Sequence, residues 1–212
     1  MNKFILAFIM FFITTSASLA DSNVYITQSG AALDLDITID GNANAVGTAN
    51  DRTLLTGANL DVDIDLIGAT NTITGDFIGA GNSGSDDLKI NQTGSTNTTA
   101  LNVGASAATD DVRIIENRVG SSGETTYTIG SAATVQDVTV TVDVVGDDID
   151  IALIENSSSS GSDKTTDIDI GTDSDDVDIV VTHTGAGAHK TKLLCTGACG
   201  TSDFTFSQTG AN

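Results

Sequence analysis

The sequence predicts an all-β fold: a β-solenoid of stacked strand–turn–strand repeats that form two thin parallel sheets, with essentially no helix. Three observations support this prediction. Apolar and polar residues alternate with a period of two, a short phrase returns along the chain, and small polar loops separate its copies. Strand alternation combined with a fixed repeat of about 20–50 residues is typical of stacked repeat proteins. No useful stretch after residue 21 shows the 3.6-residue period of a helix.

The repeated phrase is an alternating strand followed by a turn. Residues 61–71 read DVDIDLIGATN and residues 87–97 read DLKINQTGSTN, so that their glycines, and also their final asparagines, lie 26 residues apart. Glycine recurs after other strands, at Gly30 and Gly146. We therefore expect turns in which glycine adopts a positive φ. Each copy reads as strand, tight turn, strand and looser turn, with unit lengths of roughly 22–40 residues.

Residues 1–20 are expected to be a signal peptide. Lys3 supplies a basic start, residues 4–13 an apolar run too short to span a bilayer, and residues 18–20 a small-residue cleavage site. We expect residues 21–212 to form a single repeat domain of about six to seven irregular units. This domain is predicted to be exported and not membrane-embedded.

The chain is strongly acidic, with 29 Asp and Glu against 8 Lys and Arg in 212 residues. Without the leader its formal charge is about −22. Such a surface repels nucleic acid and anionic membranes, and it attracts divalent cations or basic partners. Aromatic residues make up 4%, and Trp and Pro are absent, which favours a thin aliphatic core. Disorder is disfavoured because the aspartates alternate with β-branched residues, as in residues 34–40.

Alternating aspartates form one candidate site. Seven of them share strand faces in groups: Asp61, Asp63 and Asp65; Asp167 and Asp169; Asp176 and Asp178. Carboxylates stacked on neighbouring strands repel each other, and weakly bound Ca²⁺ could relieve this repulsion. The spacing is that of a strand and not that of an EF-hand loop. The alternative is a solvated acidic face that keeps the chain soluble.

Cys195 and Cys199 are a candidate disulfide, since an even number of cysteines in an exported protein favours pairing. On one straight strand, residues four apart would be about 13 Å from each other, beyond disulfide reach. A bond therefore requires a turn, which Gly197 permits. A zinc site that includes His183 or His189 is an alternative, although the spacing matches no common finger.

A family resemblance begins at residues 92–97. There the sequence Gln-Thr-Gly-Ser-Thr-Asn resembles the curlin repeat family, the subunits of bacterial curli fibres. The family pattern is alternating apolar residues, then Gln-x-Gly-x-x-Asn, then a second strand. Residues 88–97 match it in full, 24–30 and 204–210 match in part, and 66–71 match except that Leu stands in place of Gln. The signature positions are Gln28, Gly30, Gly68, Asn71, Gln92, Gly94, Asn97, Gln208 and Gly210.

The resemblance implies a secreted β-solenoid that polymerises into an extracellular, amyloid-type fibre at the cell surface, for adhesion and biofilm matrix. It implies that the partners are other copies of the chain or other fibre subunits, and the secretion machinery. It implies no enzymatic activity. The chain departs from the family in its heavy Asp content and its cysteine pair.

The two ends of the mature chain support self-assembly independently. Residues 24–30 and 204–210 are alike, and neither segment carries a charge or a proline, the usual protection of edge strands. Phe204 and Phe206 concentrate aromatic side chains in the last strand. We expect the C-terminal strand of one molecule to pair with the N-terminal strand of the next, forming an open filament. Stacked Gln and Asn side chains would form amide ladders along its axis.

Other functions remain as alternatives. A monomeric acidic cell-surface adhesin, or a calcium-dependent binding module, would use the aspartate faces. An ice-binding solenoid would use threonines such as those of 126–128 and 139–141, but it needs a flat, regular array and the sequence has scattered pairs. A glycan-cleaving enzyme is the weakest alternative, because close carboxylate pairs are unavoidable in so acidic a chain. No catalytic residue or firm cofactor is predicted.

Overall fold

The structure, a computed structural model, describes residues 22–29, 33–48, 50, 52–79, 86–104, 111–130, 137–156, 163–171, 174, 176–185, 187–196 and 199–210. The predicted signal peptide, Gly30 and Gly197 lie outside the described residues.

Strands make up most of the described chain. They are β1 (Ser22–Val24), β2 (Thr27–Ser29), β3 (Asp34–Asp40), β4 (Ala43–Val46), β5 (Thr53–Gly57), β6 (Asp61–Ile67), β7 (Thr70–Gly79), β8 (Asp86–Thr93), β9 (Thr96–Val103), β10 (Val112–Val119), β11 (Ser122–Ile129), β12 (Val138–Val145), β13 (Asp148–Asn156), β14 (Lys164–Ile170), β15 (Asp176–Thr184), β16 (His189–Cys195) and β17 (Thr201–Thr209). The described residues contain no helix, as predicted.

The strands form two parallel sheets that the chain visits in turn. Sheet A has the order β1-β4-β7-β9-β11-β13-β15-β17, with β2 beside β5 and β5 beside β7, and sheet B has the order β3-β6-β8-β10-β12-β14-β16. We call each layer of a sheet a rung; β1 and β2 together make the first rung of sheet A, and β4 and β5 the second. The predicted β-solenoid with two parallel sheets is therefore confirmed.

The core lies between the two sheets. Inward residues at equivalent positions of successive rungs form columns, such as Val62, Leu88, Ile114 and Val140, all buried. Polar and charged side chains alternate with them and face outward. Each fully buried aliphatic side chain stabilises the fold by about 1.5–3 kcal/mol, so the core grows with each added rung.

The tight turns from sheet B to sheet A stack on one another. A Cβ on Gly94 would overlap the carbonyl oxygen of Gly68 in the turn below, so glycine is required for close approach. The predicted positive φ is wrong for Gly68, Gly94 and Gly146, whose φ angles lie outside the left-handed region. Positive φ occurs instead at Gly104 and Gly130, where the chain leaves sheet A.

The repeat is more regular than the sequence alone suggested. Register partners on adjacent rungs are 26 residues apart along most of the solenoid, and the offsets elsewhere range from 22 to 28. The echo between residues 115–117 and 154–156 spans one and a half turns, because β10 lies in sheet B and β13 in sheet A. The strands of sheet A and sheet B have the same apolar–polar alternation. Two segments that lie in different sheets, half a solenoid coil out of step, therefore look like repeats in the sequence.

Candidate functional site

The C-terminal end of the solenoid is an open rung. Phe204 and Phe206 on β17 are in register with Ile179 and Val181 on β15, which are buried at 0% and 1% exposure. The two phenylalanines are 40% and 47% exposed. They therefore continue two core columns and remain uncovered because no described rung lies beyond β17.

The core opens at this end. A cleft of about 490 Å³ lies between β16 and β17, lined by Thr191, Leu193, Phe206 and Gln208 among others. Leu193 continues the inward column of Ile168. The cleft is the unfilled end of the core and has room for several side chains from a further rung.

The N-terminal end presents the matching columns of sheet A. Register partners followed from rung to rung place Val24 in the column of Phe204, and Gln28 in the column of Gln208. Val24 is partly buried, whereas Tyr25 is 48% exposed. The two terminal segments, which are similar in sequence, therefore occupy equivalent positions in sheet A.

The structure corrects the placement of the curlin-like segments. Residues 88–93 lie on β8 in sheet B, but the terminal matches lie in sheet A. Gln92 is buried between Leu66 and Arg118 in its column, so no glutamine ladder forms there. Its amide nitrogen donates to the carbonyl oxygen of Thr98 at 3.3 Å instead.

The predicted asparagine ladder does form. Asn44 Nδ2 donates to Asn71 Oδ1 at 3.0 Å, and Asn71 Nδ2 donates to Asn97 Oδ1 at 2.9 Å. The same nitrogens reach the carbonyl oxygens of Ile67 and Thr93 at 2.9 and 3.0 Å. All three amides are buried. Sequence reasoning missed Asn44, although Gly41-Asn42-Ala43-Asn44 carries the same Gly-x-x-Asn spacing.

A buried polar cluster around Glu116, which the sequence did not reveal, crosses the core. Glu116 Oε1 accepts hydrogen bonds from the hydroxyls of Thr99 and Thr125 at 3.0 and 2.9 Å, and Oε2 accepts from Tyr127 at 2.8 Å. Burial raises the pKa of Tyr127 well above its ordinary value, and the Glu116 carboxylate adds to this effect. Burial lowers the pKa of Arg118, which nearby Glu116 partly opposes.

A second buried cluster, the Glu155 cluster, comprises Glu155, Lys164, Thr166, His183 and His189. Glu155 Oε1 accepts a hydrogen bond from Thr166 at 3.2 Å, and its Oε2 lies 3.3 Å from His183 Nε2. Burial raises the pKa of Glu155 to about 7, and burial lowers the pKa of His183 to about 4. The imidazole is therefore neutral at pH 7, so this contact is not an ion pair.

Most of the candidate aspartates lie beside basic or amide groups. Asp61 has Asp87 as its register partner on β8. Arg113 forms a salt bridge with Asp87 at 2.8 Å. Lys89 Nζ lies 3.7 Å from Asp63. Further contacts join Asn91 to Asp65, and Lys192 to Asp167 and Asp169 at 2.9 and 3.4 Å.

The remaining two candidates, Asp176 and Asp178, belong to an acidic part of sheet A. We call the outward column Glu124, Asp150, Asp178 and Asp203 the acidic column. Burial raises the pKa of Asp150, and Asp148, Asp178 and Glu124 raise it further. Because β17 begins at Thr201, it includes Asp203, a charge that the predicted segment 204–210 lacks. Within the described ranges, no group of three or more His, Cys, Asp or Glu side chains is arranged to hold a metal ion.

Cys195 and Cys199 form a disulfide with a Cα–Cα distance of 6.5 Å, in the connection between β16 and β17. The bond confirms the predicted pairing and excludes the zinc alternative, since bonded sulfurs are not thiolate ligands. His183 and His189 lie with their ring centroids 5.4 Å apart, in the Glu155 cluster.

No family model matches the chain, and comparisons with curated proteins and with solved structures also give no match. In the part of the chain that the structure describes, no helix has the length and apolar character needed to cross a membrane.

Proposed function

We propose that the protein is a secreted structural subunit that assembles head to tail into extracellular, curli-like amyloid fibres for adhesion and biofilm matrix. Its partners would be other copies of itself or other fibre subunits. The observation that carries this proposal is the open last rung, in which Phe204 and Phe206 continue core columns without cover.

An open rung is a template for another strand. An edge strand offers a row of unpaired N–H and C=O groups, and neither Phe204 nor Phe206 is protected by a neighbouring charge on its own face of β17. Covering the two rings would remove large apolar surfaces from water, with about 1.5–3 kcal/mol for each fully buried side chain. Because the two ends of the molecule differ, such contacts are heterologous and extend as a filament.

The proposal is tested with residues 21–212 incubated without agitation and dried into an aligned sample. We expect an oriented reflection at about 4.7–4.8 Å along the fibre axis, and growth that is seeded by preformed fragments. Immunogold labelling of intact cells should find the protein in fibres outside the cell. A wild-type chain that stays monomeric under seeding overturns the proposal.

A matched pair of variants locates the growing surface. Phe206→Lys places a charge in the core column and should stop elongation, because a further rung would bury it. Thr205→Lys places the same charge on the outward face of the same strand and should leave elongation largely intact. Equal behaviour of the two variants would show that the core face of β17 is not the contact.

A second candidate function is a cation-dependent binding module on the acidic column. The observation that favours it is that none of the salt bridges among the described residues involves Glu124, Asp150 or Asp178. Because these carboxylates form no discrete metal site, a cation would bind weakly and be shared along the column. Calorimetric titration with Ca²⁺ should then show binding that Asp150→Asn weakens and Asp36→Asn, on the other sheet, does not. An absence of heat at millimolar Ca²⁺ would remove this candidate.

A further inference from the structure

The two sheets hold different numbers of rungs. Among the described strands, sheet A has eight rungs and sheet B has seven, so the described part of the chain starts and ends in sheet A. If β1 and β2 of one copy were placed on β17 of another, sheet A would continue without interruption. Sheet B would then lack one rung, because β16 and the next copy's β3 would be two strand spacings apart, roughly 9.5 Å.

Such a joint would leave backbone hydrogen-bonding groups unpaired and the core incompletely packed. It leaves the backbone N–H and C=O groups on the open edges of β16 and β3, those not bonded to β14 and β6, without partners inside the fibre. It also leaves a void where the inward column from Ile37 to Leu193 would be interrupted. Closing the gap requires β16 to pair directly with β3 of the next copy.

If β16 pairs directly with β3 of the next copy, β17 of the first copy and β1 and β2 of the next copy would occupy the same position in sheet A. We propose that β17 of one copy occupies the place of β1 and β2 in the next copy, whose own N-terminal segment is released. This inference rests on the proposed head-to-tail assembly and replaces the simpler pairing of the two terminal strands that the sequence suggested.

The two competing segments, β17 and β1 with β2, are similar in sequence and belong to the same columns of sheet A. Phe204 takes the column of Val24, and Gln208 that of Gln28, so β17 presents the same pattern to β4 and β5 of the next copy. β17 is one strand of nine residues, whereas β1 and β2 have three residues each and are interrupted. The longer strand can form more ladder hydrogen bonds, so we expect it to displace the shorter ones.

Charge complementarity in sheet B supports the same joint. The last rung carries Lys190 and Lys192 on its outward face, and the first rung carries Asp34 and Asp36. Followed through the sheet, Asp34 shares its column with Lys190, and Asp36 with Lys192. Direct pairing of β16 with β3 would place opposite charges on neighbouring strands, which is favourable.

The inward columns agree with this pairing. Leu193 would meet Ile37, and Cys195 would meet Ile39, so apolar side chains would continue the core. All four side chains pack in or against the existing core. Charge and packing therefore select the same register independently.

A charge exchange in the full chain tests the proposal. Lys190→Asp/Lys192→Asp alone and Asp34→Lys/Asp36→Lys alone should each elongate at least about ten-fold more slowly than the wild type, because like charges meet at every joint. An equimolar mixture should recover, since every joint between unlike variants pairs Asp with Lys. Unimpaired growth of either variant alone, or failure of the mixture, overturns the proposal.

Removal of the displaced segment gives a second test. The variant lacking residues 22–29 should elongate at least as fast as the wild type, because β17 no longer has a competitor. If β1 and β2 instead stack on β17, the same deletion stops elongation and overturns the proposal. A wild-type chain that forms no fibre at all contradicts the proposed function itself, so the two failures are distinguishable.

Discussion

Asn71 is the central member of the asparagine ladder and joins three rungs at the tight-turn corner. Its amide nitrogen reaches Asn97 Oδ1 and the carbonyl oxygen of Thr93, and its amide oxygen accepts from Asn44. Asn71→Ala leaves these buried groups without partners. We expect the free energy of unfolding to fall by about 2–3 kcal/mol, measured by chemical denaturation.

The control for this variant is Thr72→Ala. Thr72 follows on the same strand and faces outward. Its replacement should change stability by less than about 0.5 kcal/mol. Equal losses for Asn71→Ala and Thr72→Ala would mean that the ladder adds nothing beyond ordinary strand pairing.

Asp150 has an unfavourable electrostatic environment in the folded state. Burial and the neighbouring carboxylates raise its pKa above the ordinary value of 3.8. The folded protein therefore holds this proton more tightly than the unfolded chain does, and stability is lost as the pH rises through the raised pKa. Asp150→Asn should raise the melting temperature at pH 7 and have little effect at pH 3.

A paired aspartate provides the contrast. Asp87 accepts two hydrogen bonds from Arg113, at 2.9 and 2.8 Å. Asp87→Asn should lower the melting temperature at pH 7 or leave it unchanged. A gain similar to that of Asp150→Asn would show that total charge, and not the local column, sets the effect.

At the scale of elements, β13, β14, β15 and β16 enclose the Glu155 cluster. Glu155, with its raised pKa of about 7, loses stabilising protonation as the pH rises from 4.5 to 7. His183, with its lowered pKa of about 4, has the opposite sign: stability is lost as the pH falls from 6.5 towards 4. In the wild type the two dependences oppose each other over the shared window.

Glu155→Gln removes one of the opposing dependences. We expect the difference in unfolding free energy between wild type and variant to shift by about 3 kcal/mol in favour of the wild type as the pH falls from 7 to 4.5. Urea unfolding at both pH values measures this shift. Glu124→Gln, which neutralises an exposed carboxylate, is the control and should show a much smaller shift; a pH-independent difference for Glu155→Gln would contradict the assignment.

The elements themselves were predictable because period-two alternation directly reflects the pleat of a strand. The assignment of a segment to one half of a turn was not, because both sheets of a solenoid impose the same alternation. Residues 24–30 and 204–210 illustrate this, since their match to 88–94 is correct in pattern and wrong in sheet.

The buried polar clusters were not predictable for a different reason. In Ile115-Glu116-Asn117 the apolar neighbour suggests that Ile115 faces inward, yet Glu116 is the buried residue. Its hydrogen-bond partners Thr99 and Tyr127 lie on β9 and β11, the strands before and after it, 17 and 11 residues away along the chain. Burial of a carboxyl group depends on such partners, which local patterning does not contain.

At the scale of the whole molecule, acidic side chains are spread along the outward faces of the solenoid, and the uncovered core columns lie at its ends. The formal net charge is −21 for the full sequence. Successive subunits in a fibre therefore repel each other through their sides while their end rungs attract. The Lys–Asp pairs of the proposed joint involve two residues on each copy, which is small against this net charge.

Salt should therefore accelerate elongation. The Debye length falls from about 10 Å at 0.1 M to about 3 Å at 1 M, which screens the sides and leaves hydrophobic burial at the joint largely unaffected. We expect the seeded elongation rate, followed by light scattering, to rise at least about ten-fold from low salt to about 0.5 M NaCl. The triple variant Glu124→Gln/Asp150→Asn/Asp178→Asn should elongate faster than the wild type at low salt and show a smaller salt response. A rate that falls with salt would mean that attraction between the end-rung lysines and aspartates outweighs the repulsion between the sides, and the Lys190→Asp/Lys192→Asp variant would then lose that salt dependence.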